Sequence, residues 1–304
     1  MKLEDLLEKG KIPQIGFGPG GVGYTPKMKK KKRGVALFLD KAYNKFFHRP
    51  KLNRDYIDSV ASAIQSGFRL IDYSSAYGDG SLIGRAIQKS GVHRSELLLT
   101  TRVSNGAQRN RCVREEFFKC LEGFGTDYVD ILQFHWPVTN LYLDTWREME
   151  KLHEEGYVKH LGVANCHQHH LEEIFKICKH RPEIGQFEIH PLFTQKPLIE
   201  YYKKNDILIE AYTSLARYDD RLVRLPMLKK LEQKYHKNFV QIILRWHVQN
   251  GVIPLVRCLS KGHQKTNLDI FDFELTEEDV MLIDGININS RLRYDPDNCD
   301  FSIL

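Results

Sequence analysis

From residue 54 onward the chain repeats one unit: a short apolar run, a turn, then an amphipathic stretch. The apolar runs fall at 68–74, 97–103, 127–135, 157–164, 184–189, 206–212 and 251–257, with Ile15-Gly-Phe-Gly18 as a weaker first member. Helical patterns occupy the intervals, at about 54–66, 80–89, 109–122, 145–154, 168–179, 197–204, 225–248 and 260–269. In Val240-Gln-Ile-Ile-Leu-Arg-Trp-His-Val248, for example, Val240, Ile243, Leu244 and His247 share one helical face. Strict βα alternation implies a parallel sheet with both faces covered, because each crossover lays a helix on the sheet. Eight such units in about 250 residues fit a (β/α)8 TIM barrel better than an open sheet. No GxGxxG sits between a strand and a helix, which disfavours a Rossmann arrangement, and the glycine-rich Gly16–Gly23 stretch reads as a turn.

Two segments break the alternation. Residues 19–53 make the first βα loop far longer than usual. Thr276-Glu-Glu-Asp is a capping pattern that begins an extra helix at 276–288, and a tail, 289–304, follows. Residues 1–304 are expected to form one barrel domain with these two embellishments.

The net charge of +6 has one local source, Lys27-Met-Lys-Lys-Lys-Lys-Arg33, which holds six cations and no acid. The basic balance therefore describes one segment and not the whole surface. No recognised nucleic-acid module accompanies it, so no nucleic-acid partner is expected. No apolar run reaches the roughly 20 residues of a membrane span, membrane contact is not expected, and the N-terminus does not read as a signal peptide. The six cysteines show no CxxC and no disulfide-dense spacing; they read as reduced thiols in a cytoplasmic protein.

Four polar residues sit at the ends of successive apolar runs: Asp72 and Tyr77, Arg102, and His135. In a barrel these converge on one mouth. An acid, a phenol, a cation and an imidazole together suit carbonyl reduction. A phenol of pKa about 10 becomes a useful proton donor when a cation stabilises its phenolate. At about 4 Å and an effective dielectric near 20 that interaction is worth about 4 kcal/mol, up to about three pKa units before desolvation. A carboxylate would position the cation, and a neutral imidazole would orient the substrate carbonyl. Residue by residue, Asp72 and Arg102 also fit a rim ion pair, Tyr77 a loop aromatic and His135 a satisfied histidine. The four together favour chemistry.

The chain resembles the aldo-keto reductases over roughly residues 12–18 and 52–303. The resemblance is carried by Gly67-Phe-Arg-Leu-Ile-Asp-Tyr-Ser-Ser-Ala-Tyr-Gly78, Thr126-Asp-Tyr-Val-Asp-Ile-Leu-Gln-Phe-His-Trp-Pro137, Glu154-Glu-Gly-Tyr-Val-Lys-His-Leu-Gly-Val-Ala-Asn165, Gln186-Phe-Glu-Ile-His-Pro191 and Phe271-Asp-Phe-Glu-Leu-Thr-Glu-Glu-Asp279. The tail Arg293-Tyr-Asp-Pro-Asp-Asn-Cys-Asp-Phe301 looks like the ending of the bacterial 2,5-diketogluconate reductase type. The resemblance implies a TIM barrel that binds NADPH across its mouth, a catalytic tetrad of Asp72, Tyr77, Arg102 and His135 with Tyr77 as general acid, and Trp136 in the substrate wall. It also implies that Asn165 and Gln186 hold the nicotinamide amide and that Tyr212 stacks on the ring. Around Tyr212 the family's Ser-Pro-Leu-Gly is replaced by Thr213-Ser214-Leu215-Ala216, so the pyrophosphate loop is altered. At the adenosine end Arg257 and Cys258 stand for lysine and serine, His263 stands for a phosphate-binding arginine, and Asn267 keeps the family's asparagine. Arg257, Lys261 and His263 retain the cations and donors a phosphate needs, which favours NADPH over NADH.

The family uses lysine where this chain has Arg102. A planar guanidinium prefers a bidentate carboxylate. Arg102 is expected either to stabilise the Tyr77 phenolate, giving an active reductase, or to lock onto Asp72, giving an NADP(H)-binding regulatory or scaffold protein with little turnover. A third option, a barrel glycosidase or metal-dependent hydrolase, has Glu188 and His190 as its nearest candidates but no convincing second acid. No metal is expected. The substrate is expected to be a small carbonyl compound, and the basic loop, with a lid helix at 35–47, would favour an acidic one such as a sugar acid. A monomer is expected.

Overall fold

The computed structural model describes residues 13–22 and 49–301. The basic run at 27–33 and the lid helix expected at 35–47 lie outside the described residues.

Eight parallel strands close into a barrel in chain order: β1 (Gly16–Phe17), β2 (Leu70–Asp72), β3 (Leu98–Val103), β4 (Val129–Phe134), β5 (Val158–Ala164), β6 (Ile184–Glu188), β7 (Leu208–Tyr212) and β8 (Val252–Val256). Pairing of Gly16 with Leu255 and of Phe17 with Val256 completes the ring. The described helices are α1 (Arg49–Ser66), α2 (Ser81–Ser90), α3 (Asn105–Asn110), α4 (Val113–Phe124), α5 (Tyr142–Glu154), α6 (Gln168–Ile177), α7 (Lys196–Lys204), α8 (Asp220–Val223), α9 (Pro226–Tyr235), α10 (Phe239–Gln249), α11 (Lys261–Leu268) and α12 (Glu277–Asp284). The expected (β/α)8 barrel is the observed fold. Among the described residues no helix is long and apolar enough to cross a membrane.

Two apolar bodies hold the fold. Outside the sheet, buried residues such as Val60, Ile83, Trp146, Leu171 and Ile242 seal the helices onto the strands. Inside, Leu70, Ile131, Ile184, Ile253 and Leu255 form a separate cluster that plugs the barrel. Side chains of one strand alternate between faces, so residues two apart share one. Two residues beyond Leu70, Ile131 and Ile184 come Asp72, Gln133 and Gln186. The barrel therefore carries a polar layer directly above its apolar floor. Gly162 on β5 makes room for both layers: a Cβ there would lie 2.6 Å from Ile184 Cγ2 and 3.0 Å from Gln133 Cγ.

The structure departs from the sequence reading at several boundaries. The single helix expected at 225–248 is two, α9 and α10, because His236 takes a φ of 52° and Asn238 starts a new helix. The Asn238 side chain accepts the Gln241 N–H at 3.0 Å, and the Gln241 side chain accepts the Asn238 N–H at 3.1 Å, a reciprocal cap. The helix expected at 109–122 likewise splits at Arg111, φ 54°. The extra helix is shorter than 276–288, but Thr276 caps it as its sequence suggests.

Candidate active site

The strand-end quartet converges. Asp72 ends β2, Tyr77 closes a short 3-10 turn after it, Arg102 lies on β3 and His135 follows β4. Arg102 is 1% exposed, so its charge must be compensated within the barrel. Its Nη1 donates to Asp72 Oδ1, its Nη2 donates to Asp72 Oδ2 at 2.9 Å, and Nη1 also donates to Gln186 Oε1 at 2.8 Å. Nη2 donates in addition to Tyr77 Oη at 3.2 Å. Both contacts weighed from the sequence are present: the fork grips Asp72 and still reaches the phenol. Burial opposes the Arg102 charge, but the charges of Asp72 and Tyr77 outweigh it and raise the pKa.

Sequence reasoning missed two members of this network. Gln186 Nε2 donates to Asp72 Oδ1 at 3.1 Å and to Glu210 Oε2 at 3.0 Å, and Gln133 Nε2 donates to the same Glu210 oxygen at 3.1 Å. Glu210 is fully buried, and its Oε1 has no partner. Burial, then the nearby Asp72 carboxylate, push its pKa up to about 7, against the two amide donors and Arg102. Its position two residues after Leu208 on β7 was the available signal, since that parity places it in the polar layer.

His135 stands edge-on to Tyr77, ring centroids 5.7 Å apart. Burial, then the charges of Arg102 and Arg293, lower its pKa to about 3, so the ring is neutral at physiological pH. Ser74 Oγ accepts the Ala76 N–H and lies 3.3 Å from His135 Nδ1. With one proton and a second lone pair, the Ser74 hydroxyl can pair with Nδ1 in either tautomer of the neutral ring. Glu116 braces the surrounding loops: it accepts from the Ser104 N–H at 2.7 Å and shares the single Ser75 hydroxyl proton, at 2.8 Å, with the Arg102 carbonyl at 3.0 Å. Ser74 and Glu116 were likewise missed from the sequence.

The expected cofactor residues divide between the rim and the interior. Asn165 sits just past β5 at φ 60°, a left-handed conformation that asparagine tolerates. Its Nδ2 donates to the His135 carbonyl at 2.9 Å, and Tyr212 Oη donates to its Oδ1 at 2.6 Å. Asn165 thus ties the ends of β4 and β7. A carboxamide and a half-buried phenol side by side fit a nicotinamide in chemistry. The Gln186 amide is turned inward onto Arg102, Asp72 and Glu210, so a contact with a ligand would exchange one of those bonds. Thr213 has φ 55°, Leu215 is half-buried, and Ala216, Arg217 and Tyr218 form a left-handed turn with φ between 48° and 58°. Such backbone costs roughly 1–2 kcal/mol per residue and gathers at ligand loops. Arg257 is exposed and donates from Nε to the Pro19 carbonyl at 2.9 Å; Lys261 and His263 are exposed at the start of α11. Two cations and an imidazole donor suit a phosphate. Cys258 and Asn267 are buried instead, and burial pushes the thiol up to about 12 despite its hydrogen bond from Asn267.

Trp136 is buried beside Tyr294 and Phe301 of the tail, each ring centroid 6.4 Å away. Glu188 and His190, weighed above as hydrolase candidates, face each other in the interior at 2.9 Å. Glu188 also accepts the Leu292 N–H at 2.7 Å and the Arg293 N–H at 3.0 Å. The pair fastens the tail.

A closed (β/α)8 barrel with this quartet at its strand ends is the framework of a carbonyl oxidoreductase. The sequence pattern of the Aldo/keto reductase family matches residues 44–288. The chain is 38% identical over 244 residues to the glyoxal reductase of Bacillus subtilis (strain 168), covering 80% of this chain and 88% of that protein. It is 37% identical over 242 residues to the 9,11-endoperoxide prostaglandin H2 reductase of Trypanosoma cruzi (strain CL Brener), covering 79% and 86%. Among solved structures, an aldo/keto reductase from Brucella melitensis superposes with a TM-score of 0.77 at 33% identity, over 90% of this chain and 95% of that one. A Bombyx mori aldo-keto reductase in complex with NADP gives 0.77 at 26% identity, over 94% and 92%. The chain belongs to the aldo/keto reductase family. It is therefore an oxidoreductase that uses a nicotinamide cofactor and acts on carbonyl or alcohol groups.

Proposed function

We propose that this protein reduces an aldehyde or ketone to the alcohol with NADPH, and that Tyr77 is the general acid. The observation that carries the reading is the Arg102 Nη2 contact of 3.2 Å with Tyr77 Oη, made while the same fork is held by Asp72. The fixed guanidinium N–H holds the phenol oxygen in place and faces the charge that develops on it as its proton passes to a carbonyl oxygen. Neutral His135, in the tautomer with its proton on Nε2, donates a hydrogen bond to that oxygen and orients it. Asn165, Gln186 and Tyr212 hold the nicotinamide; Thr213 and Leu215 border its pyrophosphate; Arg257, Cys258, His263 and Asn267 mark the adenosine end, where the exposed cations favour a 2′-phosphate. When bound there, the reduced nicotinamide supplies the hydride. Trp136, Tyr294 and Phe301 form an aromatic wall for the substrate. The charge of Arg293, felt at His135, suits an anionic or sugar-derived carbonyl. We further take the protein to be a cytosolic monomer, a setting its six unpaired cysteines fit.

The test is steady-state NADPH oxidation, with NADH in parallel, against simple aldehydes, glyoxal and sugar acids. Turnover that falls to background in Tyr77→Phe supports the reading; turnover that persists in that variant sinks it. The bidentate grip on Asp72 favours a second reading, a cofactor-binding regulatory protein with slow turnover. Arg102→Lys separates the two: a large rise in rate supports the second, and an equal or lower rate supports the first.

A further inference from the structure

The start of α6 after β5, with His167 as its cap and His169 and His170 in its first turn, and the C-terminal tail bring three imidazoles onto one carboxylate. His167 Nδ1 lies 2.7 Å from Asp297 Oδ2, His169 Nε2 lies 3.2 Å from Asp297 Oδ1, and His170 Nε2 lies 3.7 Å from that oxygen. The partners are 130 residues apart in sequence. The ligand atoms of His167, His169 and Asp297 all lie within 4.8 Å of one another. An ion bound at about 2.0–2.2 Å by nitrogen and oxygen places neighbouring donors about 3–3.5 Å apart. His167 Nδ1 and His169 Nε2 each stand near that spacing from Asp297, but on different carboxylate oxygens, so a single ion needs the carboxylate to turn and His169, whose side chain is 58% exposed, to swing.

His170 has a different part. Its Nδ1 accepts the His167 backbone N–H at 3.2 Å, so in the neutral ring the proton sits on Nε2. That nitrogen cannot ligate, and at 3.7 Å from Asp297 Oδ1 it stands beyond hydrogen-bond reach.

We propose that His167, His169 and Asp297 form a site for a borderline divalent ion of the zinc, nickel or copper kind, which fastens the C-terminal tail to the start of α6. Two imidazoles and one carboxylate select such ions over magnesium or calcium, which take all-oxygen sites. Arg291 opposes the ion: its Nη2 lies 3.3 Å from His167 Nε2, which therefore acts as acceptor and leaves the proton on Nδ1. Ligation through Nδ1 moves the ring proton to Nε2, with no net release, and two donors facing each other turn Arg291 aside. Arg291 thus sets the affinity. The proposal is independent of the carbonyl chemistry.

The experiment is calorimetric titration of the full-length protein with zinc chloride alone, in a weakly coordinating buffer. One ion per chain is expected. Binding should weaken at least tenfold in His169→Ala and in Asp297→Asn, and tighten in Arg291→Met. His169 is exposed, so its replacement leaves the fold intact, which circular dichroism checks. Zinc should also slow proteolytic cutting of the tail in the parent protein and not in His169→Ala. Equal titrations of the parent and both weakened variants, or no binding at millimolar zinc, overturn the site. A zinc-loaded protein whose tail is cut as fast as the metal-free one overturns the fastening.

Discussion

Gln186 on β6 and Asp72 on β2 meet across the barrel through an Nε2–H···Oδ1 bond of 3.1 Å. The acid behind Arg102 is thus held from the far wall as well as by the guanidinium. Gln186 answers three buried groups at once: Asp72, Arg102 and Glu210. Replacing it with leucine leaves all three short of a partner. Loss of about 2–4 kcal/mol is expected, since each unmet buried polar group costs about 1–3 kcal/mol. Urea unfolding measures it. A change within about 0.5 kcal/mol would show that the layer is held otherwise.

Glu210 makes stability depend on pH. Its folded pKa is raised, from 4.5 to about 7, so the native state holds the proton more tightly than the unfolded chain. The stabilisation is fully present below about pH 4.5 and is lost as pH rises through about 7. By linkage the amplitude is on the order of 3 kcal/mol. Glu210→Gln keeps an oxygen for the two amide donors and removes the titration. The variant should gain stability relative to the parent between pH 5 and pH 8. Parallel urea curves at both pH values settle it, and a constant difference contradicts the assignment.

Ser74 is the hydroxyl partner of His135 Nδ1. Ser74→Ala removes that partner and also the acceptor of the Ala76 N–H. A lost neutral hydrogen bond is worth about 1 kcal/mol, so kcat/KM should fall about five- to tenfold, and loss of the cap should cost about 1 kcal/mol of stability. Because His135 titrates near 3, its ionisation should leave no limb in the pH–rate profile between pH 5 and 8. A limb near 6.5 that disappears in His135→Phe would contradict that.

Glu188 carries both tail amides on one carboxylate. Glu188→Gln provides a single carbonyl oxygen where two are used, so one of Leu292 and Arg293 loses its acceptor. The expected signature is a KM for carbonyl substrate raised several-fold with a smaller effect on kcat, because Tyr294 and Phe301 lose their fixed place against Trp136. A fall confined to kcat would assign Glu188 a different part.

Much of this was legible in the sequence, for a local reason. The βα alternation and the residues that end each apolar run are set by neighbours in sequence, so the barrel and the convergence of Asp72, Tyr77, Arg102 and His135 could be anticipated. For Glu210 the strand parity after Leu208 marks only the inward face; its partners, Gln133 and Gln186, come from other strands, and only barrel closure places them together. The break at His236 was readable in principle, since Asn238 with Gln241 is a capping pair, but the apolar spacing on either side masked it. The three histidines after Asn165 acquire meaning only from Asp297, which sequence places far away.

The tail shows the same long reach with a different result. Its fastenings, Glu188 and the His167–His170 turn, belong to the barrel rim and grip mainly the backbone amides of Leu292 and Arg293 and the single side chain of Asp297. The aromatic rings it presents to Trp136 play no part in that grip. The pocket wall is thus a replaceable fitting: its rings can be exchanged for others, and substrate preference redrawn, without reworking the frame that holds it.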